Sequence, residues 1–167
     1  MTALPALLLA LVALCASSVH AQSDYPNKPI RIIVPYPPGS GTDFTGREVG
    51  AAFSRALGQP VVIDNRGGAA ATIGHALGAK AAPDGYTLLL GTTGGLVSGP
   101  ALMGNKIPYD PLKDFAPVSL ATYVFYAIAV TGSLPASNTR ELIALARAQP
   151  RKLNVASPGV GTPNHLG

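Results

Sequence analysis

The chain is poor in cysteine, histidine, charge and aromatic rings, and each shortage narrows what it can do. Of its 167 residues, one is cysteine, three are histidine, 12% are charged and 6% are aromatic. That charged fraction is about half the usual quarter, while 47% of the residues are hydrophobic. Disorder requires the opposite balance, so the chain is globular in character. Lys and Arg number 12 against 8 Asp and Glu, a net charge of +4. The positive residues are scattered, which argues against a nucleic-acid partner. A mild positive excess suits small anions and equally suits plain solubility.

No charge falls in the first 21 residues, MTALPALLLALVALCASSVHA. An apolar block gives way to small residues and ends Val19-His20-Ala21, a small-x-small pattern. Residues 1–21 therefore read as a secretory signal cut after Ala21, too short to span a membrane comfortably. The block lacks a preceding Lys or Arg, which leaves room for a start codon upstream. Cys15 lies inside this leader, and bulky Leu14 before it argues against lipidation. Cleavage leaves no cysteine, so neither a disulfide nor a thiolate site is expected despite the oxidising compartment.

Several motifs are missing as well. No serine sits in GxSxG, so a nucleophile elbow is absent. Gly39-Ser40-Gly41-Thr42-Asp43-Phe44 starts like GxGxxG but carries Phe44 at the third glycine. Gly159-Val160-Gly161-Thr162-Pro163-Asn164 fails there with Asn164, and no lysine completes a P-loop. Beyond the leader, His75 and His165 are too few and too far apart for a metal site. No catalytic residue, metal or cofactor is expected. His75 falls on an expected helix and reads as a surface or packing residue.

What is present is a repeated strand, loop and helix. Ile30 to Val34 is a strand-length apolar run apart from Arg31, and the proline-rich stretch 35–43 follows. Thr42 or Asp43 is positioned to cap a helix to about Leu57, with Phe44, Val49, Phe53 and Leu57 as its apolar stripe; Gly58 and Pro60 end it. Val61 to Ile63 is the next strand, followed by Asp64 to Gly68 and an Ala-rich helix over about 70–81. Tyr86 to Leu90 is the third strand, ending at Gly91 to Gly95. Near-continuous apolar strands in this order predict an α/β fold with a parallel sheet covered on both faces. Residues 100–117 read as a crossing segment, 118–130 as one or two strands, 139–148 as a helix capped by Asn138 or Thr139, and 153–156 as a strand before a last Gly-rich loop. Tyr123, Phe125 and Tyr126 read as core and interdomain packing.

Loops 35–43, 91–95 and 157–164 all follow strands, and ligands in open α/β sheets sit beyond such strand ends. Two of them run into helix N-termini, where free N–H groups and the positive dipole end attract an anion. Asp43 is ambiguous between capping, bracing and ligand contact. Arg66 reads as an anion-steering group or, more simply, a salt-bridge partner of a neighbouring acid. His165 is open to a ligand contact or a structural one.

The segments YPNKPIRIIVPYPPGSGTD, VVIDNRGGA, AAPDGYTLLLG, IPYDPLKDFAPVSL and KLNVASPGVGTPNHL together resemble, in order, the Bug family, the TctC-type periplasmic receptors of tripartite tricarboxylate transporters. The resemblance spans the mature chain, and AAPDGYTLLLG with YDPLKDFAPVSL is its most specific part. It implies a two-domain, periplasmic-binding-protein-like (type II) Venus flytrap that holds a small carboxylate, such as a di- or tricarboxylate, an amino acid or an aromatic acid. It also implies membrane components of a tripartite transporter as partners, a periplasmic location and a monomer. Carried over by motif, Pro38, Gly39, Gly41, Thr42 and Asp43 match a first-domain carboxylate loop. Thr92 and Thr93 match its neighbour, and Ser157, Gly159, Gly161, Thr162 and His165 match a second-domain loop.

Two departures stand out: Pro38-Gly39-Ser40 where the family often has PGG, and NRGGAAA where it has NRPGAGG. Family members are about twice as long. The expected layout is therefore a first domain over 22–117 and the incomplete start of a second over 118–167, truncated relative to the family pattern. The rival expectations are an α/β enzyme acting on a carboxylate or phosphate ester, and a non-functional fragment of the receptor.

Overall fold

Apolar, mostly β-branched residues on both faces make a strand that is stable only when both faces are covered. In the computed structural model, which describes residues 25–157 and 159–166, Ile30 to Val34 meet that requirement. They form β1 (Ile30–Val34), the middle of a three-stranded parallel sheet between β2 (Val61–Asn65) and β3 (Thr87–Leu89). Ile30, Ile32, Ile33 and Val34 are at most 3% exposed. Arg31, the polar exception, pairs with Asp64 on β2, and Asp64 also accepts from Arg66 Nε at 2.8 Å. The expected signal segment 1–21, with Cys15, lies outside the described residues.

Helix α1 (Gly41–Leu57) links β1 to β2, and α2 (Thr72–Ala79) links β2 to β3. Gly46 and Gly50 of α1 lie over Val34, Ile63 and Val61, whereas Gly78 of α2 lies over Leu89. Ile32 pairs with Ile63 and Ile33 with Leu89, so these contacts are on opposite faces of the sheet. The two-faced covering predicted from the strands is therefore formed.

The buried stripe of α1 is a correction. Phe44 is 67% exposed and Leu57 39%, while Asp43, Gly46 and Gly50 are the buried residues. The helix approaches the sheet through its small face: a Cβ on Gly46 would lie 2.6 Å from Val34 Cγ2. The cap also shifts, because Ser40 Oγ accepts the Asp43 N–H at 3.1 Å. Gly58, in the left-handed region at φ 66°, ends the helix as expected.

The segment before β1 is fastened to the turn before β3. Tyr25 donates its hydroxyl to the Gly85 carbonyl, Lys28 pairs with Asp84, and Tyr86 exchanges hydrogen bonds with Asn27. The Pro83-Asp84-Gly85-Tyr86 turn thus holds the strand edge in register.

Beyond β3 the chain coils through a π turn (Gly94–Ser98), α3 (Gly99–Met103) and a short 3-10 turn (Gly104–Lys106). Helix α4 (Thr139–Ala148) carries the expected cap: Asn138 Oδ1 accepts the Glu141 N–H, and Glu141 accepts the Ser137 N–H. The strands expected over 118–130 and 153–156 are not formed. A strand needs a neighbour for its N–H and C=O groups, and no described segment pairs with either stretch. Tyr123, Phe125 and Tyr126, expected as packing residues, are 78%, 93% and 58% exposed for the same reason.

Candidate functional site

The strand order β2-β1-β3 means that the chain leaves β1 in one direction to β2 and returns past it to β3. The reversal opens a crevice between the carboxyl ends of β1 and β3, where α/β sheets bind ligands. Loops 35–40 and 91–95 form its walls. They touch: a Cβ on Gly94 would lie 3.1 Å from the Tyr36 hydroxyl.

On the β1 side, the loop is held by Asp43. Its Oδ2 accepts the Gly39 N–H at 2.9 Å and Arg47 Nε at 3.0 Å, and its Oδ1 accepts Asn65 Nδ2 at 3.0 Å. Asn65 Nδ2 also donates to the Tyr36 carbonyl. The Gly39 amide bond, followed by Arg47 and Asn65, holds the Asp43 carboxyl down at about 2. Gly39 sits at φ 82°, a conformation open to glycine at little strain. Both oxygens of Asp43 are therefore spent on bracing. The N–H groups of Gly41 and Thr42, the first two residues of α1, have no partner among the described residues. The loop thus presents free donors and a neutralised acid.

On the β3 side, Thr93 and Gly94 lead into the π turn, and their N–H groups likewise have no partner among the described residues. The Thr92 hydroxyl is buried and completes no hydrogen bond of ordinary geometry, although it adjoins the Tyr36 phenol. Burial lifts that phenol above its usual range, against the pull of Thr92 and with a smaller push from Tyr126. Tyr36 is thus a neutral hydroxyl facing the crevice wall.

His75, read from sequence as a surface or packing residue, is fully buried behind this loop. Its Nδ1 lies 2.8 Å from the Ala71 carbonyl, and its Nε2 accepts the Thr92 N–H at 3.3 Å. A carbonyl only accepts, so the two bonds together require the neutral Nδ1–H form. Burial lowers its pKa, with the Ala71 bond opposing.

The last loop reaches the same neighbourhood. Ser98 Oγ donates to the Gly161 carbonyl at 2.9 Å, and a Cβ on Gly161 would lie 3.2 Å from Ala70 Cβ. Its polar groups are largely turned inward: Thr162 Oγ1 donates to the Gly159 carbonyl, the Gly159 N–H to Ser157 Oγ, and the Gly161 N–H to His165 Nδ1. Thr162 is 1% exposed, whereas His165 is exposed and is part of α5 (Pro163–Leu166). Of the expected residues, Gly41, Thr42, Thr92 and Thr93 stand at the crevice with Pro38 and Gly39 on its rim. Ser157, Gly159, Gly161, Thr162 and His165 form a self-bonded turn docked beside it.

Sequence reasoning missed Tyr36, Asn65, His75 and the turn Ala69 to Ala71. The last three residues have φ of 46°, 55° and 75°, all left-handed. Their signal was in the family pattern, which places glycine where Ala70 and Ala71 stand.

A family model described as the tripartite tricarboxylate transporter family receptor matches residues 45–167. A UPF0065 protein of Bordetella pertussis is 40% identical over 163 residues, covering 95% of this chain and 49% of its own length. The solved structure of the periplasmic binding protein BugD is 32% identical with a TM-score of 0.72, covering 85% of this chain and 47% of its own. An R. palustris protein solved with adipate, Rpa4515, is 34% identical with a TM-score of 0.70, covering 83% and 46%. The chain spans about half the length of the relatives it matches.

Proposed function

Because the chain belongs to the TctC family of tripartite tricarboxylate transporter receptors, we propose that it captures a small carboxylate in the periplasm for delivery to the membrane components of such a transporter. The observation that carries this reading is the crevice between β1 and β3. The N–H groups of Gly41 and Thr42 on one side and of Thr93 and Gly94 on the other have no partner among the described residues, next to the buried Thr92 hydroxyl. Free N–H groups at a helix start favour an anion by roughly 0.3–2 kcal/mol. Asp43, the acid nearest that helix start, is neutralised by Arg47 and does not repel it. Arg47 is paired with Asp43 and Arg66 with Asp64, so the donors left at the loop are neutral N–H groups, which suit a carboxylate. The relative solved with adipate supports this ligand class. In the two-lobed architecture implied by the family, a ligand touching both lobes favours the closed state, and closure reports occupancy to the transporter.

Thermal melts of the purified chain with malate, adipate and other C3–C6 carboxylates test the reading. An acid bound at about 100 times its Kd adds about 2.7 kcal/mol of stability. Flat melts across the panel, or turnover of a carboxylate ester, would reject it. Thr42→Pro then probes the first loop, because proline fits the first turn of a helix while removing one N–H. A lost donor to a charged acceptor predicts about tenfold weaker binding or more. Unchanged affinity in a folded variant removes this loop from the site.

A further inference from the structure

The β3 loop owes its position to a residue outside the crevice. His75 projects from α2 and is sealed on every described side. Its ring stacks on Tyr109 at 6.0 Å between centroids and meets Phe115 edge-on at 6.2 Å. Tyr109 in turn donates its hydroxyl to the Gly95 carbonyl at 2.6 Å. A Cβ on Gly95 would lie 2.1 Å from His75 Nδ1, so the imidazole fills the space under the glycine. One face of the ring system thus grips the loop backbone at Gly95, and Nε2 grips it at Thr92.

We propose that His75 is a positioning residue of the carboxylate site. By accepting the Thr92 N–H, it commits that amide and fixes the turn whose next two N–H groups, those of Thr93 and Gly94, have no partner among the described residues. This rests on the carboxylate-receptor reading. A packing histidine needs no defined acceptor; a positioning one requires Nε2 to stay unprotonated. The Nδ1–H bond to Ala71 secures this by fixing the tautomer. It also ties the β3 loop to the left-handed turn 69–71, so these two segments move together. Protonation would set an Nε2–H against the Thr92 N–H and release the loop. Among the described residues the titratable group against the ring is the Tyr109 phenol, which burial keeps neutral. Ala71, Gly95 and Phe115 bring no charge, so the ring's own protonation sets the response.

His75→Phe keeps an aromatic ring for stacking but removes both hydrogen bonds, and two readouts on the whole chain decide the matter. Amide exchange at Thr92 is expected to quicken by about tenfold or more in the variant, and adipate binding to weaken by about the same factor. In the wild type, imidazole 15N shifts should report the neutral Nδ1–H form from pH 8 to pH 6 (values chosen to bracket the ordinary histidine range). If a folded His75→Phe keeps both the slow Thr92 exchange and the adipate affinity, or if the wild type shows the Nε2–H form, the proposal is overturned. Should His75→Phe fail to fold, His75→Gln takes its place: its side-chain carbonyl accepts the Thr92 N–H, so slow exchange is retained, and fast exchange in the folded variant counts against the proposal. Absence of adipate and malate binding in the wild type rejects the receptor reading alone, because the exchange measurement still decides what His75 does to the loop.

Discussion

Asp43 stands at the start of α1, where a free carboxylate would repel the anion that the helix end attracts. The structure removes that conflict by giving its oxygens to the Gly39 amide, Arg47 and Asn65. Three neighbouring residues are less well served. Ala69, Ala70 and Ala71 all adopt left-handed backbone, which for a residue with a Cβ costs roughly 1–2 kcal/mol each. Ala70 is the place to test this, because it is only half-buried. Ala70→Gly relieves the strain but gives back part of it in unfolded-chain entropy, for an expected net gain of about 1 kcal/mol. Urea denaturation measures it as a higher midpoint at unchanged slope. None of this strain was visible from composition, since alanine is the best helix former and VVIDNRGGAAA reads as the lead-in to an ordinary helix.

At the scale of the element, α1 shows how a correct helix can be given the wrong face. Phe44, Val49, Phe53 and Leu57 make an apolar stripe, yet the sheet takes Gly46 and Gly50. Val34, Ile63 and Val61 are bulky enough to fill the layer alone, so the helix must come in close and only a residue without a side chain fits. Gly46→Ala is therefore expected to destabilise by about 1–3 kcal/mol, although alanine is the better helix former by about 1 kcal/mol. A thermal or urea melt gives the sign. A stabilised variant would show that Val34 yields without loss. The C-terminal boundary of α1, by contrast, was legible, because Gly58 and Pro60 mark it by local chemistry, whereas the cap expected at Thr42 or Asp43 falls on Ser40.

For the whole molecule, acid titration joins these features. The folded pKa of His75 lies below its ordinary 6.5, so the unfolded chain binds the proton more readily. The stability it contributes is complete above about 6.5 and is lost as the pH falls through the window beneath it. Asp43 acts lower: its folded pKa of about 2 against an ordinary 3.8 gives stability present above 3.8 and lost as the pH falls toward 2. Urea midpoints between pH 8 and pH 2 should therefore fall in two stages, the lower one shared with Asp64, Asp84 and Asp110, which also titrate below the usual carboxylate range. In His75→Phe the upper stage is expected to vanish while the lower one stays. A single acid transition in both proteins would mean that His75 does not remain neutral on folding.

The sequence by itself determined the parts whose cause is local. β-branched runs made the strands, caps and glycines bounded the helices, and failed nucleotide and hydrolase motifs narrowed the chemistry before any fold was known. It also placed Gly41, Thr42, Thr92 and Thr93 at strand ends, because the strand, loop and helix order implies a parallel sheet. Only the tertiary structure decided which partners those residues have. Bringing β3 beside β1 buried His75 under the β3 loop, and bringing β2 to the other edge of β1 closed Asp43 against Asn65, 22 residues away. The same principle explains the failure over 118–130: its apolar pattern fits a strand, but a strand exists only where another segment completes its hydrogen bonds.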